Sequence, residues 1–322
     1  MLLPTMWILV GLAALVGGAE LLVRGGSALA MRLGISPLII GLTVVALGTS
    51  TPELAVGIDA VIQGNGSLAV ANIAGTNTVN ILLILGLSAS MRPLAIKMQT
   101  LRQELPAIVI ASAALLLFAS NGTLSRLEGA MLLAMGIAFT LLVIHAARRE
   151  SLAIRLEFAH AYGRQGFASR EVATEVAMLA AGIVILVVGA DWLVDGAVDL
   201  ARRWHVSEAF IGLTIVAIGT SAPELVTTIV STIRNQRDIA IGNLIGSSAY
   251  NIMVILGLTC LVVDGGIEVG RHLIEVDIPI MVGVALLCIP VFLSGRQVSR
   301  TEGILFISAY TTYLGYLIAV RT

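Results

Sequence analysis

Long apolar stretches separated by short polar turns run along the whole chain. A helix needs about 20 apolar residues to cross the hydrocarbon core of a bilayer, and windows of that length predict ten membrane-spanning helices. Their approximate bounds are 6–31, 36–63, 67–90, 104–120, 126–147, 172–201, 207–233, 238–263, 273–294 and 302–320.

Four of these helices carry polar and helix-breaking residues near the middle of the bilayer. The second, third, seventh and eighth contain clusters of Gly, Thr, Ser, Asn and Pro at that depth. Irregular backbone survives there only where it is buried in protein or lines a cavity. We therefore predict that these four helices are interrupted.

The chain is an internal duplication. At a constant offset of 171 residues and without gaps, residues 18–87 align with residues 189–258. An odd number of crossings in each copy brings the second copy into the membrane from the opposite side. The predicted fold is an all-α polytopic membrane protein of ten transmembrane helices in two inverted five-helix repeats. The first repeat covers 1–147, a linker covers 148–170, and the second repeat covers 171–322.

Composition agrees with a membrane protein and excludes several other classes. Apolar residues make up 57% of the chain and charged residues 12%, whereas soluble domains carry about 25% charged residues. The chain has no basic patch with interleaved aromatic residues, so no nucleic-acid partner is expected. The lipid bilayer is the expected surrounding, and no obligatory protein partner is evident. Cys260 and Cys288 both lie in apolar runs, which favours buried thiols over a disulfide or a metal pair.

The cationic residues are distributed unevenly between the two sides of the predicted helices. With the N-terminus placed outside, fourteen of the nineteen Lys and Arg residues lie on the inner side. The positive-inside rule favours this orientation. Both termini are therefore expected outside, in a plasma or inner cell membrane. The 148–170 linker is expected in the cytoplasm, where a tether between the halves is its simplest role.

Two glutamates occur in matching motifs at the predicted mid-depth. Glu53 lies in the segment Gly48 to Leu54 (GTSTPEL), and Glu224 lies in Gly219 to Leu225 (GTSAPEL). A carboxylate near the middle of a bilayer costs about 2.5 kcal/mol or more. A chain that places one there twice, beside residues that open the helix, is predicted to use both.

A second polar motif follows each glutamate at the same spacing. Asn80 comes 27 residues after Glu53, and Asn251 comes 27 residues after Glu224. Two antiparallel crossings joined by a short turn return the chain to the same depth over such an interval. Each half is therefore expected to supply one Glu, one Asn and a pair of hydroxyl groups at a shared midplane site.

These groups are suited to hard cations. Carboxylate, amide, hydroxyl and backbone carbonyl oxygens are the ligands that Ca²⁺ and similar ions prefer. The Gly and Pro residues that break the helices free carbonyl groups, and we expect the carbonyl ligands around Ala46 and Ala217. No Cys or His lies in either motif, which argues against zinc. Two carboxylates neutralise one divalent or two monovalent ions, so the expected ligands are transported Ca²⁺ and Na⁺ rather than a cofactor.

A purely structural interpretation stays open for the smaller polar residues. Small and hydroxyl residues in membrane helices often form packing surfaces and interhelical hydrogen bonds. This applies to Ser50, Ser221, Asn72 and Asn243 taken singly. Asp59 has an apolar repeat counterpart and is expected to lie outside the symmetric site.

The two motif pairs resemble the repeat signature of the cation/Ca²⁺ exchanger superfamily, and within it the prokaryotic sodium/calcium exchangers. The resemblance covers nearly the whole chain. It implies an antiporter that extrudes Ca²⁺ by admitting Na⁺ through alternating access. It further implies the following metal ligands: Glu53 and Glu224 for both ions; the hydroxyl groups of Thr49, Thr220, Thr76 and Ser247 for flanking Na⁺ sites; the carbonyls of Ala46 and Ala217; and the central amides of Asn80 and Asn251. Ser50 and Ser221 lie inside the same motifs and are candidates with them.

The chain departs from the family pattern at the two central amides. Many relatives carry Asp at the position of Asn251, and potassium-dependent relatives carry Asp there and often at the position of Asn80. With Asn at both positions, the site has only two carboxylates, which disfavours K⁺ co-transport.

Three other functions compete with Na⁺/Ca²⁺ exchange. A Ca²⁺/H⁺ exchanger, or an exchanger of another divalent cation, could use the same scaffold because glutamates also exchange protons. A passive cation channel normally needs a continuous pore built by several subunits. A membrane-embedded enzyme is disfavoured, since the sequence has neither an HExxH motif nor a Ser–His pair at a common depth.

Overall fold

The computed structural model describes residues 2–162, 169–204, 215 and 217–321, and these residues are mostly helical. The α-helices are α1 (Leu2–Leu33), α2 (Pro37–Ile40), α3 (Ala46–Thr49), α4 (Thr51–Ile62), α5 (Gly66–Thr78), α6 (Gly86–Met91), α7 (Leu105–Ala119), α8 (Arg126–Tyr162), α9 (Ser169–Arg203), α10 (Ala217–Thr220), α11 (Ala222–Ile233), α12 (Arg237–Tyr250), α13 (Gly257–Val262), α14 (Ile278–Leu293) and α15 (Arg300–Arg321). Wider π-helical segments are π1 (Gly41–Val45), π2 (Val79–Leu85), π3 (Thr100–Glu104), π4 (Asn251–Leu256) and π5 (Leu273–Asp277).

Eight helices within the described residues are long and apolar enough to cross a membrane. They are Leu3–Leu33, Pro37–Ile62, Gly66–Met91, Thr100–Ala119, Arg126–Ala146, Glu171–Arg203, Arg237–Val262 and Leu273–Leu293. These match eight of the ten predicted spans. The predicted seventh span, 207–233, falls partly outside the described residues, and its described part is the shorter apolar helix α11. The predicted tenth span lies within α15, which is not among the eight. The count of ten crossings therefore stays a prediction.

The second helix breaks where its polar motif predicts. At Ser50, between α3 and α4, φ is −82° and ψ is 10°, and Pro52 in the first turn of α4 has no N–H to continue the hydrogen bonding. Ser221 between α10 and α11 has almost the same conformation. The prediction of interruption was wrong for the third and eighth helices. They contain no Pro, and they run on through π2 and π4 as widened helical turns.

Helices α1 and α9 are counterparts in the sequence repeat, and they pack against each other in antiparallel directions. A Cβ atom added to Gly11 would lie 2.7 Å from the carbonyl oxygen of Gly189, and one added to Gly18 would lie 2.9 Å from that of Gly182. Residues later in α1 therefore contact residues earlier in α9, which shows that the two helices run antiparallel. Antiparallel counterpart helices are what an inverted repeat requires, so this contact supports that arrangement.

Two short strand pairs join the halves. Leu94–Ala95 (β1) pairs with Gln297–Val298 (β4), and Thr123–Leu124 (β2) pairs with Ile267–Glu268 (β3), both antiparallel. Each pair takes one strand from each half. The same exchange of partners therefore occurs at two places, as a two-fold relation between the repeats demands.

Large apolar side chains are exposed on the outside of the bundle, and a group of polar side chains is buried inside it beside an extensive apolar core. Leu117 is 70% exposed and Leu127 is 71% exposed, whereas Glu53 is 0% exposed. A surface of large apolar side chains is stable only in lipid. Cys260 and Cys288 are buried thiols without a disulfide, as the sequence predicted.

Ion pairs tie helix ends together on the side where the cationic residues were predicted to collect. Glu20 on α1 accepts hydrogen bonds from Arg24 and from Arg234, the residue after α11. Lys97 pairs with Asp238 at 2.9 Å. These contacts place cationic residues of both halves on one face of the protein, which supports the orientation inferred from their count.

The α1–α9 contact predicts a sharp difference between two neighbouring glycines. The Gly18→Ala variant adds a methyl group against backbone atoms of α9, and overpacking of this kind costs about 1–3 kcal/mol. Nothing lies within 4 Å of a Cβ atom at Gly17, so Gly17→Ala should be neutral or slightly stabilising, because Ala favours helix over Gly by about 1 kcal/mol. Thermal unfolding in detergent should show a lower midpoint for Gly18→Ala alone. Equal midpoints for the two variants would contradict the close contact.

Candidate cation-binding site

The two glutamates occupy equivalent positions at helix starts inside the bundle. Glu53 lies in the first turn of α4, and Glu224 lies in the first turn of α11. The N-terminal end of a helix carries a partial positive charge and free N–H groups, which stabilise a carboxylate. The break before each helix therefore does two things: it opens the backbone, and it points a positive helix end at the acidic side chain.

Both carboxyl groups are fully buried. Glu53 and Glu224 are each 0% exposed. Neither oxygen of Glu53, and only Oε1 of Glu224, has a hydrogen-bond partner in the protein. Among the described residues, no Lys or Arg is paired with either group. An uncompensated buried charge costs several kcal/mol, so this pair requires a cation or protons.

The site joins the two halves of the chain. Ser50 Oγ donates to Glu224 Oε1 at 3.3 Å, so a hydroxyl group from the first break reaches the carboxylate of the second half. The charges of Glu53 and Glu224 also repel each other. Two buried carboxylates disfavour each other's ionisation, and one divalent cation neutralises both.

Three oxygens from the two halves converge beside this pair. Thr49 Oγ1 lies 3.4 Å from the Ala46 carbonyl oxygen and 3.4 Å from Ser247 Oγ, and Ser247 Oγ lies 3.3 Å from the same carbonyl. Two oxygens bound at right angles to one ion, at about 2.4 Å each, are about 3.4 Å apart. The three groups therefore already have the spacing of ligands around a small hard cation.

Close backbone packing holds these groups in place. A Cβ atom at Gly246 would lie 2.7 Å from Ala46 Cβ, and one at Gly242 would lie 2.6 Å from the Leu38 carbonyl. Because both positions are glycine, α12 approaches the second helix closely enough for Ser247 to reach the Ala46 carbonyl.

Asn243 fixes the orientation of this cluster. Its Oδ1 accepts from Thr49 Oγ1 at 3.0 Å, and its Nδ2 lies 3.2 Å from Thr228 Oγ1 and 3.5 Å from the Glu224 carbonyl. One amide thus connects the first break, α11 and α12. The sequence left Asn243 equally open to a packing role, and the structure places it at the edge of the cluster.

Amide side chains occupy the centre of the bundle. Asn251 Nδ2 donates to Asn77 Oδ1 at 3.1 Å, and Asn77 Nδ2 donates to the Ser248 carbonyl at 3.0 Å. Asn251 Oδ1 and both polar atoms of Asn80 have no partner in the protein. Asn77 and Ser248 are repeat counterparts, so their contact lies where the two halves meet. Asn77 was not selected from the sequence, although its position among three Asn residues of an otherwise apolar helix was an available signal.

The remaining predicted residues lie in α5 and around the second break. The hydroxyl groups of Thr76 and Ser221 are buried and have no partner in the protein. Thr220 is 9% exposed. Ala217 begins α10, next to residues outside the described part of the chain. The structure therefore brings together Glu53, Glu224, Ser50, Thr49, Ser247 and Ala46.

The chain is similar to known membrane proteins over nearly its whole length. The family model described as sodium/calcium exchanger protein matches residues 3–145 and 174–319. Inner membrane protein YrbG of Escherichia coli K12 is 36% identical over 323 residues, which cover 98% of this chain and 97% of that protein. Sodium/calcium exchanger MaX1 of Methanosarcina acetivorans is 28% identical, over 95% of this chain and 96% of that protein.

A solved structure is similar over the same extent. The sodium/calcium exchanger from Methanococcus jannaschii superimposes with a TM-score of 0.82 at 27% identity, and the match covers 98% of each chain. The likeness therefore extends over both halves of the chain.

The unpaired carboxyl groups predict how cation binding depends on each of them. In Glu53→Gln or Glu224→Gln, one carboxylate faces a divalent ion alone. Breaking a buried charge pair costs about 3–5 kcal/mol, which corresponds to a loss of affinity of more than about a hundredfold. Ca²⁺ should raise the thermal unfolding midpoint of the unaltered protein in detergent, and this rise should be lost in both variants.

Asp59→Asn provides the matched control for this experiment. Asp59 lies on the same helix as Glu53 but is exposed, and it accepts a hydrogen bond from Gln63. Its loss should leave the Ca²⁺-dependent rise intact. A full rise in either glutamine variant would refute the assignment of that glutamate as a ligand.

Proposed function

The chain belongs to the sodium/calcium exchanger protein family, and we propose that it is a secondary antiporter that exchanges Na⁺ for Ca²⁺ across an inner cell membrane by alternating access. The observation that carries the proposal is the pair of buried carboxyl groups Glu53 and Glu224, neither of which has a Lys or Arg partner among the described residues, together with the hydrogen bond from Ser50 of one half to Glu224 of the other.

Exchange follows from the charge of this pair. Two carboxylates are neutralised equally well by one Ca²⁺ or by two Na⁺. An empty site leaves both charges in a medium of low polarity, which is costly. The protein therefore switches between its outward-open and inward-open states most readily when either one Ca²⁺ or two Na⁺ are bound. This makes the two fluxes depend on each other.

We assign the ligands as follows. Glu53 and Glu224 bind both ions. Thr49, Ser247 and the Ala46 carbonyl form one flanking Na⁺ site, because their spacing suits a small cation. Thr220, Thr76 and the Ala217 carbonyl form its counterpart in the other half. Asn80 and Asn251 contribute amide oxygens at the centre, while Ser50 and Ser221 orient the carboxylates.

We further propose the topology on which this mechanism depends. Residues 1–147 and 171–322 form two inverted five-helix repeats joined by a cytoplasmic linker at 148–170, and both termini face outward. The antiparallel contact of α1 with α9 and the gathering of Arg24, Arg234 and Lys97 on one face support this arrangement.

A Ca²⁺/H⁺ exchanger is the second candidate. Carboxyl groups without a cationic partner, such as Glu53 with two unpartnered oxygens, also take up protons. The small-cation spacing around Ala46 favours Na⁺, since a proton needs only a carboxylate and not a cluster of neutral oxygens.

The counter-ion requirement separates these candidates. In proteoliposomes loaded with Na⁺ and diluted into Na⁺-free buffer at clamped pH, we expect rapid ⁴⁵Ca²⁺ uptake. With choline in place of Na⁺ and a proton gradient of either sign, uptake should fall to the level of protein-free vesicles. Uptake that follows the proton gradient and ignores Na⁺ would instead establish the H⁺-coupled function, and uptake without any counter-ion would indicate a channel.

A third carboxylate at the centre should change ion selectivity. Asn251→Asp removes the amide that donates to Asn77 and adds a negative charge beside the pair, so an additional monovalent cation is expected to be needed for neutrality. We predict a dependence of ⁴⁵Ca²⁺ uptake on K⁺ or on a higher Na⁺ concentration.

Asn65→Asp adds the same charge at an exposed turn before α5 and serves as the control. Its ion dependence should match that of the unaltered protein. An unchanged ion dependence in Asn251→Asp would exclude that residue from the ion's surroundings.

A further inference from the structure

A line of hydroxyl groups continues from Glu224 along α11. Thr227 and Ser231 follow Glu224 by three and seven residues, and residues at these spacings share one face of a helix. Both side chains are 0% exposed. Neither hydroxyl oxygen has a hydrogen-bond partner in the protein.

The neighbouring threonines on the same helix show the ordinary arrangement. Thr228 Oγ1 interacts with Asn243 on α12, and Thr232 Oγ1 donates to the Thr228 carbonyl at 2.8 Å. A hydroxyl group in a membrane helix can always satisfy itself in this way through a carbonyl of its own helix. Thr227 and Ser231 do not do so, although burial without a partner is unfavourable.

The third helix contributes a similar group. Helix α11 packs against π2 and α6. In α6, Gly86 faces α15, since a Cβ atom there would lie 2.9 Å from the Gly303 carbonyl. Ser88 is two residues further, about 200° around the helix, and so points away from α15 towards the interior. It is 0% exposed, and its hydroxyl group also has no partner in the protein. We call Ser88, Thr227 and Ser231 the hydroxyl seam.

The equivalent place in the other half is apolar and closed. The repeat counterparts of Thr227 and Ser231 are Val56 and Ala60 on α4. The counterpart of Ser88 is Thr259, which donates to the Ile255 carbonyl of its own helix. A Cβ atom at Gly57 would lie 3.0 Å from Thr259 Oγ1, so α4 and α13 are in close contact. Inversion of the repeats places this apolar contact and the hydroxyl seam in opposite halves of the membrane.

A polar cavity lies beyond the end of α11, and its lining begins four residues after Ser231. The cavity has a volume of about 360 Å³ and is lined by Ala95, Asn235, Gln236, Arg237 and Asp238. Glu224, Thr227, Ser231 and then Asn235 follow one another from the buried start of α11 to its exposed end.

We propose that the hydroxyl seam is the hydrated route by which cations pass between the two glutamates and the face that carries Arg234. This inference rests on the proposed transport function and specifies the route for one of its two sides. The seam hydroxyls replace part of the water around a Na⁺ or Ca²⁺ ion, and water satisfies them when no ion passes. The apolar counterpart contact of α4 with α13 is not a route.

Thiol labelling tests the route independently of exchange. In sealed vesicles with Ca²⁺ on both sides, a membrane-impermeant methanethiosulfonate applied from the face of Arg234 should modify Ser231→Cys. Modification of Ala60→Cys, the repeat counterpart, from either face should be slower by about tenfold or more, equivalent to about 1.4 kcal/mol in access. The native Cys260 and Cys288 are buried, and the unaltered protein measures their background. Equal labelling of the two variants would overturn the inference.

Transport gives the second measurement. Replacing the seam by its counterparts, in Thr227→Val with Ser231→Ala, keeps the side-chain shapes and removes both hydroxyls. Ion flux should fall by about tenfold, or about 1.4 kcal/mol, while Ca²⁺ still stabilises the protein against heat. Thr232→Val, which removes a self-satisfied hydroxyl on the same helix, should transport normally. Unchanged flux in the double variant would overturn the route even if Ser231→Cys is labelled. Labelling without Na⁺-dependent Ca²⁺ flux would instead refute the proposed coupling and keep the seam as a hydrated path.

Discussion

The structure depends on keeping two carboxylates in the interior of a membrane protein without any cationic side chain beside them. Glu53 and Glu224 are fully buried, and among the described residues neither is paired with Lys or Arg. A permanent salt bridge would satisfy these charges but would also remove any need for an ion. The chain instead offers neutral oxygens and helix N-terminal ends, which lower the cost of the charges only in part. The remaining electrostatic free-energy cost can be offset only by a cation or protons that enter the site from solution.

The helical framework follows from this requirement. A continuous α-helix uses all its carbonyl groups internally, so a span that must offer a carbonyl oxygen has to break or widen. The second and seventh helices break at Ser50 and Ser221, where Pro removes a donor. The third and eighth widen into π2 and π4, which begin beside Asn80 and Asn251. Glycines such as Gly246 then let the helices of opposite halves approach until hydroxyl and carbonyl oxygens have the separation of neighbouring ligands around one ion.

Much of the helical framework and of the site could be predicted from the sequence, because each motif occurs in both copies of the repeat. The breaks at Ser50 and Ser221, the burial of the two glutamates and the buried cysteines follow from motif, spacing and hydropathy. The continuous third and eighth helices did not, because Gly and Asn weaken a helix without deciding whether it breaks or widens. The side-chain contacts between the two halves could not be predicted from the sequence either. Asn77 binding Asn251, Asn243 accepting from Thr49, and Arg234 binding Glu20 depend on how the helices rotate about their axes, which a pattern of polarity leaves open.

A comparison of the two repeats separates the residues proposed to bind the ion from residues that line the way to the surface. Residues of the proposed ion site recur in both halves as Glu with Glu, Asn with Asn and hydroxyl with hydroxyl, as a site shared by both halves requires. Residues between the site and the surface do not recur. Glu20 on α1 binds Arg234, whereas Gln63, the counterpart of Arg234, donates to Asp59 of its own helix. Likewise, the repeat counterparts of the hydroxyl residues Thr227 and Ser231 are the apolar residues Val56 and Ala60. Such differences cannot set the direction of exchange, because ion gradients alone do that. They can change only the relative stability of the two access states and the rates of passage, so selection can adjust the two faces separately without altering the site.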